Sequence, residues 1–139
     1  MHSARVLVKR AAWRIARPVV AALSDVALLA ELAERRIPLA VCPTSSLRLG
    51  AVQSLEEHPL RQLWDAGAVV SVNTDDPGFF DCDLLGENEI AGRLLDLDRA
   101  GYGRLALNSV EGTIRPATLK TELRDAIDSR VEQGNGTRV

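Results

Sequence analysis

At 139 residues, with 46% hydrophobic and 26% charged side chains, the chain has the make-up of one globular domain or a piece of one. A net charge of −2 argues against a dedicated binder of nucleic acid or anionic membrane, and 4% aromatic residues argue against a base-stacking platform. Two cysteines, Cys42 and Cys82, without a CxxC pair, do not make the disulfide framework of a secreted module, so a reducing cytoplasm is the expected compartment; no apolar run approaches the roughly 20 residues of a membrane-spanning helix.

Residues 1–24 form a basic leader: Arg5, Lys9, Arg10, Arg14 and Arg17 precede the first acidic residue, Asp25. An organelle transit peptide has this composition, but a solvated helix or a loose chain end has it too, and the second is expected. From residue 25 to 36, Leu28, Leu29, Leu32 and Ala33 fall at helical spacing, with Ser24 or Asp25 as cap. The apolar run Ile37–Cys42 reads as a buried strand, with Pro38 at its start and Pro43 at its end. Residues 44–50 read as a loop. A helix is expected from about His58 to Ala66, stopped by Gly67, and a second buried strand from Ala68 to Asn73. Further helices are expected over about 84–100, 104–110 and 116–132, and residues 133–139 as a flexible tail. Strands separated by helices predict parallel βα units, and the lack of alternation in both strands predicts cover on both faces.

In parallel α/β folds, the site is built at the carboxyl ends of the strands. Two segments occupy such ends here: Cys42-Pro43-Thr44-Ser45-Ser46 and Asn73-Thr74-Asp75-Asp76-Pro77. Adjacent carboxylates repel each other when desolvated, and a cation or a hydrogen-bonding ligand beside them relieves that cost. Successive side chains on an extended segment diverge, so one aspartate could coordinate a metal while the other faces a ligand. Asp-Pro and Pro-Gly are also ordinary turn signals, and composition alone favours that simpler use.

The strings VCPTSSLRLG (41–50), SLEEHPL (54–60), Ala66-Gly67 and SVNTDDP (71–77) resemble the adenosine deaminase family in order and spacing, over about residues 26–115. The resemblance implies an α/β fold: the C-terminal portion, about the last two or three βα units, of a TIM (β/α)8 barrel, spanning residues 25–132. It implies a zinc-dependent aminopurine deaminase that removes the purine 6-amino group as ammonia, acting on a purine nucleoside or base. It assigns Asp75 to the metal and Asp76 to hydrogen bonding of the purine. Ser45 and Ser46 fall in the loop that lines the family's pocket, and His58 at the start of a surface helix. The family's His-x-His and His-Ala-Gly-Glu segments have no counterpart in the chain, and Ala16, Arg17 and Pro18 stand where a Gly-His-Gly motif is expected. A catalytic zinc needs about three protein ligands, so one aspartate does not make the site. The chain is therefore expected to be inactive alone or to associate with another chain.

Two alternatives belong to other classes. One is a non-catalytic remnant or interaction module that keeps the fold without the reaction. The other makes Cys42 a nucleophile with His58 as its base; a cysteine before proline in an apolar run is ordinarily a buried, inert thiol. A cytidine-deaminase-like zinc fold is disfavoured, because its His-x-Glu and Pro-Cys-x-x-Cys ligands are absent.

Overall fold

The computed structural model describes residues 26–134; the expectations for the leader and for residues 135–139 lie outside the described residues. Within 26–134 the order is α1 (Val26–Glu34), β1 (Leu39–Val41), α2 (Pro43–Arg48), α3 (Leu60–Asp65), β2 (Val70–Val72), α4 (Pro77–Phe80), α5 (Leu84–Leu95), α6 (Arg99–Gly112) and α7 (Ala117–Gln133).

Two helix-to-strand entries share one device. Helix α1 buries Leu28 and Leu32, one turn apart, and ends where Arg36 turns left-handed at φ 49° and Ile37 N–H reaches back to the Leu32 carbonyl at 3.0 Å. After α3, Gly67 at φ 77° and the Ala68 N–H to the Leu63 carbonyl, 3.0 Å, repeat that closure. Each reversal delivers the chain into a strand three residues later. The strands pair in parallel, with Leu39 opposite Val70, Ala40 opposite Ser71 and Val41 opposite Val72. Leu39 N–H to Val69 O at 2.8 Å and Asn73 N–H to Val41 O at 2.9 Å extend the ladder at both ends.

The strands are shorter than expected, and among the described residues one face is only partly covered. Leu39, Val41, Val70 and Val72 are buried with Leu60, Leu63, Ala91, Leu95 and Leu105 beneath the helices, whereas Ala40 and Ser71 are half-buried on the opposite face. The large–small–large pattern reflects this: the helix-facing positions take branched apolar side chains, and the other face takes small ones. The β2 edge away from β1 is met by α6, where the buried Asn108 donates from Nδ2 to the Val70 carbonyl at 3.0 Å.

Three further expectations are corrected. Residues 43–48 are helical, because Pro43 presets the backbone dihedral at the first turn. The helix expected over 84–100 is two helices. Asp96 takes the left-handed conformation at φ 53° and ends α5, and Asp98 caps α6 by accepting from Gly101 N–H at 2.8 Å. The helix expected over 104–110 is thus the later part of one running from Arg99. Helix α7 buries no residue fully; it is held on α6 by Arg124–Glu111 at 2.7 Å and by the Arg99 guanidinium on the Arg130 carbonyl at 2.9 Å.

Candidate functional site

Both segments singled out in the sequence lie at the carboxyl ends of the paired strands. β1 leads through Cys42 into α2, and β2 leads through Asn73 and Thr74 to Asp75 and Asp76 before α4. The structure joins them directly: Ser45 Oγ donates to Asp75 Oδ2 at 2.8 Å, from a serine with no exposure. Asp75 itself has φ 63°, a left-handed conformation that aspartate tolerates better than branched residues do. The reversal separates the neighbouring carboxylates. Asp75 turns back toward α2, and Asp76 faces forward as the cap of α4, its Oδ1 accepting from Phe79 N–H at 3.0 Å. The turn reading of Asp76-Pro77-Gly78 therefore holds for one carboxylate oxygen, and Asp76 is not among the residues that line the cavity on the open face of the sheet.

Behind this pair lies a residue that the sequence reading did not single out. Glu87 of α5 is 1% exposed, and its Oε2 accepts from Thr44 N–H at 3.2 Å. Its Oε1 makes no hydrogen bond of good geometry among the described residues, but the Cys82 thiol lies beside the carboxylate, and its pKa is raised by burial, by the Glu87 charge and by hydrogen bonding to Glu87. The signal was spacing: Glu87, Ala91 and Leu95 fall on one buried helical stripe, so the glutamate sits where an apolar residue is expected.

Cys42 and His58 are both pushed away from catalytic use. Burial raises the Cys42 thiol to about 11, and the charges of Asp75 and Glu87 add to the effect; a hydrogen bond from the Asp75 backbone only partly opposes it. Burial lowers His58 to about 4, and its Nδ1 accepts from Leu60 N–H at 3.2 Å at the start of α3. A thiolate–imidazole pair needs the thiol acidified, which is the opposite of what burial does here. The structure thus gives no support to the nucleophile–base alternative and leaves His58 as a helix-start residue.

The open face of the sheet borders a cavity of about 550 Å³, lined by Ala40, Cys42, Ser71, Asn73, Asp75 and Leu84 among others. Asn73 is steadied there by Nδ2 donating to Ser71 Oγ at 3.1 Å. Among the described residues no group of three His, Cys, Asp or Glu side chains could hold a metal ion. A carboxylate ligand held by a hydroxyl donor has the chemistry of one contributor to a zinc centre, not of a whole one. Both cysteines are free thiols, and among the described residues no helix is long and apolar enough to cross a membrane.

Comparison with known proteins gives a consistent grouping. The adenosine deaminase family model matches residues 7–130, which takes in most of the basic leader. The chain is 50% identical over 105 residues to an aminodeoxyfutalosine deaminase of Streptomyces avermitilis, covering 76% of the chain and 29% of that relative. Its structure is similar to the crystal structure of adenine deaminase from Arthrobacter aurescens, with a TM-score of 0.76 and 30% identity, over 81% of this chain and 35% of that one. It is similar also to an amidohydrolase from Burkholderia ambifaria whose crystal structure has bound Zn, with a TM-score of 0.71 and 25% identity over 81% of this chain and 32% of that one. The chain spans about a third of the length of these proteins.

Proposed function

The chain belongs to the adenosine deaminase family, and we propose that it forms the last two or three βα units of a zinc-dependent TIM-barrel deaminase acting on an aminopurine. The observation that carries this reading is the Ser45–Asp75 hydrogen bond at the carboxyl ends of two parallel strands. That is where barrel enzymes assemble their sites.

In this reading Asp75 supplies one metal ligand, and histidines from strands that complete the barrel supply the others. The chemistry zinc contributes in such a centre is to bring the acidity of the attacking water toward neutrality. The chain's own residues then bind and orient. Ser45 holds Asp75 Oδ2, so that the carboxylate keeps one direction. Asp76 Oδ2 accepts a hydrogen bond from the purine and sets C6 before the water. Water adds at C6, the C6–N bond breaks, the amino group leaves as ammonia, and the product keeps a C6 carbonyl. The 50% identity to the Streptomyces relative favours aminodeoxyfutalosine over adenine as the substrate. The free thiols fit a cytoplasmic setting.

A second reading, a remnant without catalysis, is supported by one observation: among the described residues no group of three His, Cys, Asp or Glu side chains could hold a metal ion. One experiment separates the two. The 139-residue chain is joined to the upstream two thirds of the Streptomyces relative, and zinc content and ammonia release from aminodeoxyfutalosine and adenine are measured. Zinc near one per chain and ammonia release, both lost in Asp75→Ala, are expected. A joined protein that holds zinc equally well in Asp75→Ala sinks the assignment, and one that holds zinc but releases no ammonia supports the remnant.

A further inference from the structure

Resting on the reading of Asp75 as a metal ligand, we propose that Glu87 is a positioning residue for that ligand: it holds the Thr44 amide, and so the turn that aims the Ser45 hydroxyl at Asp75. Helix α2 begins without a side-chain cap of its own, since Cys42 at the cap position makes no such bond. The amides of a helix's first turn have no partner within the helix and need one from outside. Glu87 provides it for Thr44 across 43 residues of sequence, from the buried stripe of α5, at 3.2 Å. One residue further on, Ser45 Oγ reaches Asp75 Oδ2 at 2.8 Å. The relay Glu87–Thr44–Ser45–Asp75 thereby ties α5, α2 and the end of β2 together behind the site.

Two observations set this contact apart from ordinary packing. A carboxylate that is 1% exposed bears a desolvation cost that a leucine at the same place would avoid. Its carboxylate meets the Thr44 amide on one side and the Cys82 thiol on another. Asp75 also sits in a left-handed conformation at φ 63°. Its carboxylate leaves the strand direction and meets the Ser45 hydroxyl. Glu87 touches no reacting atom in this arrangement; its influence passes through Thr44 and Ser45, as the outer partners of metal ligands commonly act.

The test uses the joined protein described above, with zinc loss to a chelator and steady-state kinetics read side by side. Glu87→Ala is expected to release zinc ~10–100-fold faster and to lower kcat by a similar factor while KM stays within about threefold, the range typical of partners that orient a metal ligand. Glu87→Gln, which keeps an acceptor for Thr44 N–H, is expected to restore both within about threefold. Leu95→Ala serves as the control, a buried change on the same helix that destabilises without entering the relay. It is expected to lower Tm and leave zinc release unchanged. In the 139-residue chain, exchange of the Thr44 amide followed by NMR should quicken in Glu87→Ala and recover in Glu87→Gln. Zinc release and kcat within about twofold of the parent in Glu87→Ala overturn the proposal. So do equal losses in Glu87→Ala, Glu87→Gln and Leu95→Ala, which mark a purely structural role. A parent protein without zinc overturns the Asp75 assignment and this proposal with it, and that failure shows in the parent rather than in the variants.

Discussion

Asp75 and Asp76 are adjacent in sequence but have different partners in space. The left-handed backbone at Asp75 sends one carboxylate to Ser45, while Asp76 spends an oxygen on the Phe79 amide. The sequence marked both residues, and diverging side chains were expected of an extended segment. Their partners depend on the turn that brings α2 beside the end of β2, which no local pattern encodes. His58 gives the clearest solution test at this scale. Its folded pKa, near 4, lies below the unfolded value of 6.5 because burial disfavours the imidazolium. Above 6.5 both states are neutral at this site. As pH falls from 6.5 toward 4, the unfolded chain takes up a proton that the folded chain refuses, so stability declines through that window. Urea denaturation followed by tryptophan fluorescence is expected to show a lower midpoint at about pH 5 than at about pH 7, with a shallower slope in His58→Gln, which keeps an acceptor for the Leu60 amide. An unchanged slope in that variant removes His58 as the cause.

Among the elements, those with apolar periodicity were legible and those built on single capping contacts were not. Helix α1 and the apolar face of α3 followed from Leu28, Leu32, Leu60 and Leu63, all buried in one core. The break between α5 and α6 was missed because Leu94, Leu95 and Leu97 continue an apolar run through it, and only Asp96 and Asp98 mark the stop and restart. Asn108 illustrates a contact of the same kind between elements. Its amide pairs the Val70 carbonyl on the side of β2 away from β1, where no strand is present among the described residues. Asn108→Ala leaves that buried carbonyl without its donor, and a loss of about 1–3 kcal/mol is expected in denaturant unfolding. A change below about 0.5 kcal/mol, the range of neutral surface substitutions, would mean that water or another group already satisfies Val70.

At the scale of the whole molecule, the described fold is a helical layer over one face of a two-stranded parallel sheet, with small and polar side chains on the other. A sheet this narrow draws its stability from the helices packed on it rather than from its own ladder. The Val72 amide lies on the edge away from β1, because Val72 alternates with Asn73, whose N–H reaches Val41. If these strands close a barrel, that edge gains a partner. Hydrogen exchange at Val72 is expected to be fast in the 139-residue chain and to slow by at least about tenfold once the chain is joined to the upstream strands. Equal exchange in both would argue that the sheet ends at β2.

The sequence by itself determined the helix–strand alternation, the family and the two carboxylates to watch, because apolar spacing, turn chemistry and the NTDDP string are local and survive without coordinates. Only the tertiary structure decided that Ser45 is the partner of Asp75, that Glu87 stands behind Thr44, and that burial raises the Cys42 thiol and weakens His58 as a base. Those facts depend on which residues meet across 30 or 43 positions of chain and on how far water is excluded where they meet.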